Sequence, residues 1–145
     1  MNATATAAKT VDAPSDRVWD AIRSIGGLDR WFPVINSCRV EGRGVGAVWI
    51  MDLGDGGEIR DRVIEVDDAR HRFRYDRFIS PFPVASYIGT VTVRDEGGRS
   101  DVVWQVEIEV APEQKDGLVA FLEKALSDGV DGLERELREA RAGAG

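Results

Sequence analysis

At 145 residues the chain has the length of one domain, and 43% hydrophobic with 31% charged residues describe an ordinary globular protein whose apolar runs all fall short of the ~20 residues needed to cross a bilayer. A formal net charge of -7 works against nucleic-acid binding, which needs a cationic face to release counterions from phosphates. The only cysteine, Cys38, excludes an internal disulfide and a thiolate metal cluster, and residues 1–9 lack the basic start and greasy core of a secretory signal, so a cytoplasmic protein without membrane insertion is expected.

Residues 2–11 are rich in Thr and Ala, with a β-branched alternation that predicts a first strand after a frayed start. Ala13-Pro14-Ser15 changes the period. Ser15 is the expected cap of a short helix whose apolar side is Val18, Trp19, Ile22 and Ile25, and Gly26-Gly27 end it. Residues 28–32 predict a further helical turn, stopped by Pro33. Strands are expected over 38–42, 46–53, 58–66, 71–79, 84–94 and 101–110. The segments between them, such as Gly42-Arg43-Gly44, Gly54-Asp55-Gly56-Gly57 and Pro81-Phe82-Pro83, are turn chemistry short enough for antiparallel hairpins.

Ala111-Pro112 ends the last strand, and a long helix is expected over 113–140, with a flexible tail from Ala140 to Gly145. Leu118, Phe121, Leu122, Ala125, Leu126, Val130, Leu133 and Leu137 recur at three- and four-residue intervals and line one face. Gly129 and Gly132 interrupt that face although each costs a helix about 1 kcal/mol against Ala. Three readings stand for them: a notch beside Phe121 and Ala125 that leaves room for a ligand, close packing against a strand, or a helix break near Asp128-Gly129. A bent antiparallel sheet of seven strands wrapped around this helix, an α+β fold with two short helices after the first strand, solves the burial problem the element order poses. The gap between sheet and helix is then either packed or hollow.

Val18-Trp19, Trp31-Phe32-Pro33, Gly44-Val45-Gly46, Arg60-Asp61-Arg62, Asp67-Asp68, Tyr87 and Val103-Trp104 resemble motifs of the polyketide cyclase/dehydrase and lipid transport family, part of the START/Bet v 1-like (SRPBCC) superfamily. The resemblance covers nearly the whole chain and implies a helix-grip fold; it implies little about chemistry, because that superfamily holds cyclases, carriers, receptors and chaperone cofactors. Trp31 to Cys38, ending Asn36-Ser37-Cys38, and Asp67 to Tyr87 are similar to segments of the plant abscisic acid receptors. That likeness implies pocket positions at Asp61, Tyr75, Tyr87 and Phe121, a gate loop over 54–57 and a latch loop over 81–84. Phe32 stands where those receptors place a lysine for the hormone's carboxylate, and Phe82 and Pro83 stand where they place a histidine and an arginine. The implied ligand is therefore not a hormone-like acid, and the pocket mouth is greasier.

Alternation divides residues 58–66 into Ile59, Asp61 and Val63 on one face and Arg60, Arg62 and Ile64 on the other. The pattern alone does not choose between the faces; the resemblance puts Asp61 in the cavity. A carboxylate there is either an acid or base with a raised pKa or half of an ion pair with an arginine on a neighbouring strand. Tyr75 and Tyr87 point inward with Trp49, Met51, Leu53 and Trp104 if each strand keeps its pleat, the phenols orienting a carbonyl and the indoles serving as packing or as a flat slot. Arg77 shares parity with Tyr75 and is placed either at the pocket rim or in solvent.

The expected site thus has Asp61, Tyr75 and Tyr87 as its chemically active groups, and Trp31, Phe32, Trp49, Met51, Leu53, Phe82, Trp104, Phe121, Ala125 and Gly129 around the ligand. Neither metal nor cofactor is expected: His71 is the lone histidine, at a turn, and no nucleophile-elbow, phosphate-loop or dinucleotide motif occurs. Three functions are carried forward: a binder of a hydrophobic or aromatic small molecule, with polyketide cyclisation or dehydration if it is an enzyme; a non-catalytic carrier or receptor; and a protein-interaction module with a filled interior. The expected assembly is a monomer or homodimer.

Overall fold

Alternation at period two and the turns between the runs produce an antiparallel meander whose inner face needs a lid. The computed structural model describes residues 1–24, 28–32, 35–54 and 57–144, with side chains as far as residue 140. In chain order the elements are β1 (Asn2–Val11), α1 (Ser15–Arg23), α2 (Leu28–Trp31), β2 (Ser37–Glu41), β3 (Val48–Asp52), β4 (Glu58–Asp67), β5 (Arg72–Ile79), β6 (Val84–Glu96), β7 (Arg99–Val110), a 3-10 turn at Pro112–Gln114, and α3 (Lys115–Ala144). The seven strands form one sheet in the order β1-β7-β6-β5-β4-β3-β2, antiparallel throughout. This is the expected seven-stranded helix-grip architecture.

Over the first part of β1 the residues that face inward are Ala3, Ala5 and Ala7, all buried, so α3 can approach this strand closely. Acids of α3 meet the free edge of β1: the backbone N–H of Thr6 donates to Glu123 at 3.2 Å, that of Asp12 just beyond the strand donates to Glu134 at 2.7 Å, and Lys9 reaches Ser127 at 3.0 Å and Asp131. The exposed edge of the sheet is thereby blunted.

Several boundaries differ from expectation. The strand β1 begins at Asn2, paired with Glu109, instead of fraying. Ser15 is the first residue of α1; Pro14 occupies the cap, and no side chain caps the helix. α3 runs unbroken through Asp128-Gly129 and on to Ala144, beyond the point at which the tail was expected. The expected roles of Ile25, Gly26-Gly27, Pro33 and Asp55-Gly56 lie outside the described residues.

The two helical glycines seat α2, not a strand and not a ligand. A Cβ on Gly129 would stand 2.2 Å from the Phe32 ring, and one on Gly132 would stand 2.4 Å from the Trp31 carbonyl oxygen. α2 therefore lies against the glycine face of α3 and closes one end of the space under the sheet.

Candidate functional site

The polar end of the interior is built by β4, β5 and β6. On β4 the alternation turns Ile59, Asp61 and Val63 inward, with Asp61 fully buried. Asp61 lies opposite Arg77 in the β4–β5 ladder, and the next pair is Arg60 with Ile79, so Phe78 is an extra residue. This bulge leaves Phe78 40% exposed while Arg77 is directed inward. The guanidinium forks onto the carboxylate, Nε donating to Oδ1 at 2.8 Å and Nη2 to Oδ2 at 3.0 Å. The Arg77 side chain is 10% exposed and that of Asp61 1%. Burial works to lower the Arg77 pKa, but the Asp61 charge, the neighbouring phenols and the hydrogen bonds to Asp61 raise it above its ordinary value, so the guanidinium stays charged. It also lies 4.1 Å from the centroid of the Tyr87 ring.

The phenols form the next layer. Trp104 Nε1 donates to Tyr75 Oη at 3.0 Å. Burial pushes the Tyr75 hydroxyl well above its ordinary pKa and pushes Tyr87 up as well, so both are neutral donors at physiological pH. Tyr75 has its seat because Gly89, its partner across the β5–β6 ladder, carries no side chain: a Cβ there would lie 2.1 Å from the phenol ring.

Beside this polar end lies a cavity of about 410 Å³. The sheet contributes Trp49, Ile59, Asp61, Tyr75, Arg77, Tyr87 and Trp104 to its wall, with Leu53 from the edge of the β3–β4 turn. Leu28, Phe32 and Ile35 close one side, and Phe121, Leu122, Ala125 and Leu126 of α3 cover it. At the mouth the rings of Phe82 and Phe121 are 5.8 Å apart and inclined at 56°, with Phe121 46% exposed. The lining is apolar except for one cluster, the composition of a site that takes a largely apolar guest and orients it at one point.

The family model for polyketide cyclase / dehydrase and lipid transport proteins matches residues 2–138. The chain belongs to this family. No curated protein sequence matches it. Among solved structures, the XoxI protein of Bacillus cereus superimposes with a TM-score of 0.83 at 23% identity, covering 96% of this chain and 98% of that one. The Zhui aromatase/cyclase of Streptomyces gives 0.82 at 19% identity over 100% and 99% of the two chains. Norcoclaurine synthase of Thalictrum flavum, solved in complex with dopamine and hydroxybenzaldehyde, gives 0.79 at 20% identity over 96% and 88%. These likenesses establish the helix-grip fold.

In this family member, Asp61, Tyr75 and Tyr87 lie together in the cavity wall, and Phe32, Trp49, Leu53, Phe82, Trp104, Phe121 and Ala125 line the cavity with them. Three expected wall residues do not. Trp31 is buried with its indole N–H donated to Glu136, Met51 is fully buried in the core, and Gly129 holds the Phe32 ring. Trp49 stacks on Phe73 at 5.3 Å, and its indole nitrogen is buried without a hydrogen-bond partner. His71 adopts a positive φ of 51° in the turn after β4 and stacks on Trp19 at 5.1 Å, away from the cavity. Cys38 is half-buried, and burial, followed by the Asp29 and Asp61 charges, pushes its thiol up to about 11. Among the described residues no group of His, Cys, Asp and Glu is placed to hold a metal, and no helix is long and apolar enough to cross a membrane.

Sequence reasoning left Gly89 unremarked and placed Arg77 only by parity. The signal for Gly89 was present: a glycine within a strand marks a close approach, here by the Tyr75 ring.

Proposed function

We propose that the protein binds a hydrophobic or aromatic small molecule in this cavity and promotes cyclisation or dehydration of a polyketide-like carbonyl compound there, in the cytoplasm, as a monomer or homodimer and without a cofactor. The observation that carries the reading is the 410 Å³ apolar space with one polar cluster in its wall. The walls confine a flexible chain to a folded, near-attack shape. Tyr87 donates its O–H to a carbonyl oxygen, and Arg77, held beside it by Asp61, stabilises the negative charge that develops on that oxygen. Asp61 is on this reading a positioning residue for Arg77.

One observation favours a second reading, a carrier that leaves its guest unchanged. The carboxylate in the wall, Asp61, is committed to a forked ion pair with Arg77, the arrangement of a counter-ion. A hollow interior weighs against a pure protein-interaction module. Incubation with aromatic polyketide precursors and product analysis by mass spectrometry separates the readings. Turnover lost in Tyr87→Phe, with the fold intact by circular dichroism, supports the enzyme; ligand recovered unchanged from a protein that binds it supports the carrier.

A further inference from the structure

We infer that Trp49 is a specificity-determining residue of the cavity: its indole N–H is the donor for a second acceptor oxygen on the bound guest, apart from the one that meets Tyr87. The inference rests on the ligand-binding reading above and adds to it a residue and a second point of attachment.

The chain has four tryptophans, and the fold supplies an acceptor for three of their N–H groups. Trp19 donates to Asp68 at 2.8 Å, Trp104 to the Tyr75 hydroxyl at 3.0 Å, and Trp31 to Glu136. Trp49 differs. It is 3% exposed, and among the described residues its Nε1 is the one buried side-chain nitrogen or oxygen without a partner. A stranded donor of this kind costs about 1 to 3 kcal/mol. Phenylalanine would keep the stack on Phe73 and avoid that cost, so the indole is explained by an acceptor from outside the fold.

The polar groups beside Trp49 are committed to other donors. Across the β3–β4 ladder it faces Asp61, which is forked onto Arg77. The Tyr75 ring lies 5.5 Å from that of Trp49, and its hydroxyl takes the N–H of Trp104. What adjoins the indole otherwise is the cavity, whose wall it forms with Leu53 and Ile59. The nitrogen itself is covered, so a guest's acceptor meets it when the indole turns out of its stack on Phe73, and the hydrogen bond then relieves the stranded donor.

Trp49 stands on β3 and Tyr87 on β6, three strands apart in the sheet, which at ~4.8 Å per strand separates their backbones by about 14 Å. Tyr75, on β5, lies between them in the strand order. Each donor therefore calls for its own acceptor, and a guest with two separated carbonyl oxygens is held at both ends of the polar wall.

The test compares meta- and para-diacetylbenzene, which carry two carbonyls, with the corresponding isopropylacetophenones, which have the same shape and one carbonyl. Titration calorimetry of the whole chain should give at least one diacetylbenzene an affinity about fivefold above its one-carbonyl partner, the worth of one net hydrogen bond. That preference should vanish in Trp49→Phe. In NMR spectra of isotope-labelled protein the Trp49 indole N–H, identified by its loss in Trp49→Phe, should move downfield with the preferred diacetylbenzene and not with its partner. Shifts of the Ile59 and Leu122 methyls report occupancy of the cavity independently. The inference alone is overturned if those methyls shift while the paired compounds bind equally, if the preference survives Trp49→Phe, or if the indole signal responds alike to both. Methyls that respond to none of the compounds overturn the ligand-binding reading as well. Should Trp49→Phe fail to fold, the indole signal is assigned through its contacts with the Phe73 ring, and the unaltered protein decides.

Discussion

The two halves of α3 meet the rest of the molecule in opposite ways. From its middle onward, Gly129 and Gly132 remove side-chain bulk so that the Phe32 ring and the Trp31 backbone pack directly against the helix. Toward its N-terminal end, Phe121, Leu122 and Leu126 carry bulk around Ala125, yet a cavity lies beneath them. Small residues here mark tight packing and larger ones mark the void, because a glycine is retained where another backbone must come close and a pocket needs greasy walls.

The polar wall of the hollow half gives the largest expected effect. Asp61→Asn leaves the Arg77 guanidinium buried without its counter-charge and should cost about 3 to 5 kcal/mol, measured by denaturant unfolding. A cost below about 1 kcal/mol would mean that the fork contributes little and that solvent reaches the pair. The packed half should respond next. Gly132→Ala gains helix propensity but drives a methyl into the Trp31 backbone, for a net loss of about 1 to 3 kcal/mol.

Added bulk in the hollow half should behave differently. Ala125→Leu places carbon in empty space, so stability should hold or rise by about 1 kcal/mol at most, while binding of an apolar aromatic guest in the cavity weakens about tenfold through crowding. If Ala125→Leu destabilises as much as Gly132→Ala, the contrast between the halves is broken. Alkaline titration sharpens it further. Tyr75 and Tyr87 have folded pKa values raised above 10.0, so the unfolded chain ionises first. Their contribution is complete below about pH 10 and declines as pH climbs toward the folded values. Tyr75→Phe, followed by thermal melts, should flatten that decline. The smallest effect concerns rate alone: with its thiol raised from 9.0 to about 11, Cys38 should be alkylated near pH 8 about a hundredfold more slowly than an ordinary thiol, in a quench-flow or mass-spectrometric time course.

Much of the fold was legible because it depends on periodicity. The alternation that turns Ile59, Asp61 and Val63 to one face, the turn residues between strands, and the three-four spacing of α3 are local properties of the chain, and they determined seven strands, their antiparallel order of succession and the covering helix. The family motifs added which face of β4 looks inward. What the pattern left open was decided by contacts between residues far apart in sequence. Asp61 and Arg77 form a pair because a bulge at Phe78 sets their register; parity gave Arg77 no more than a choice between rim and solvent. Gly129 became a seat for Phe32 because α2 and the residue after it pack onto α3 from far away in the sequence. Whether the interior is filled follows from side-chain volumes summed over many elements at once, a quantity with no local signature, so only the tertiary structure could separate a solid core from a cavity.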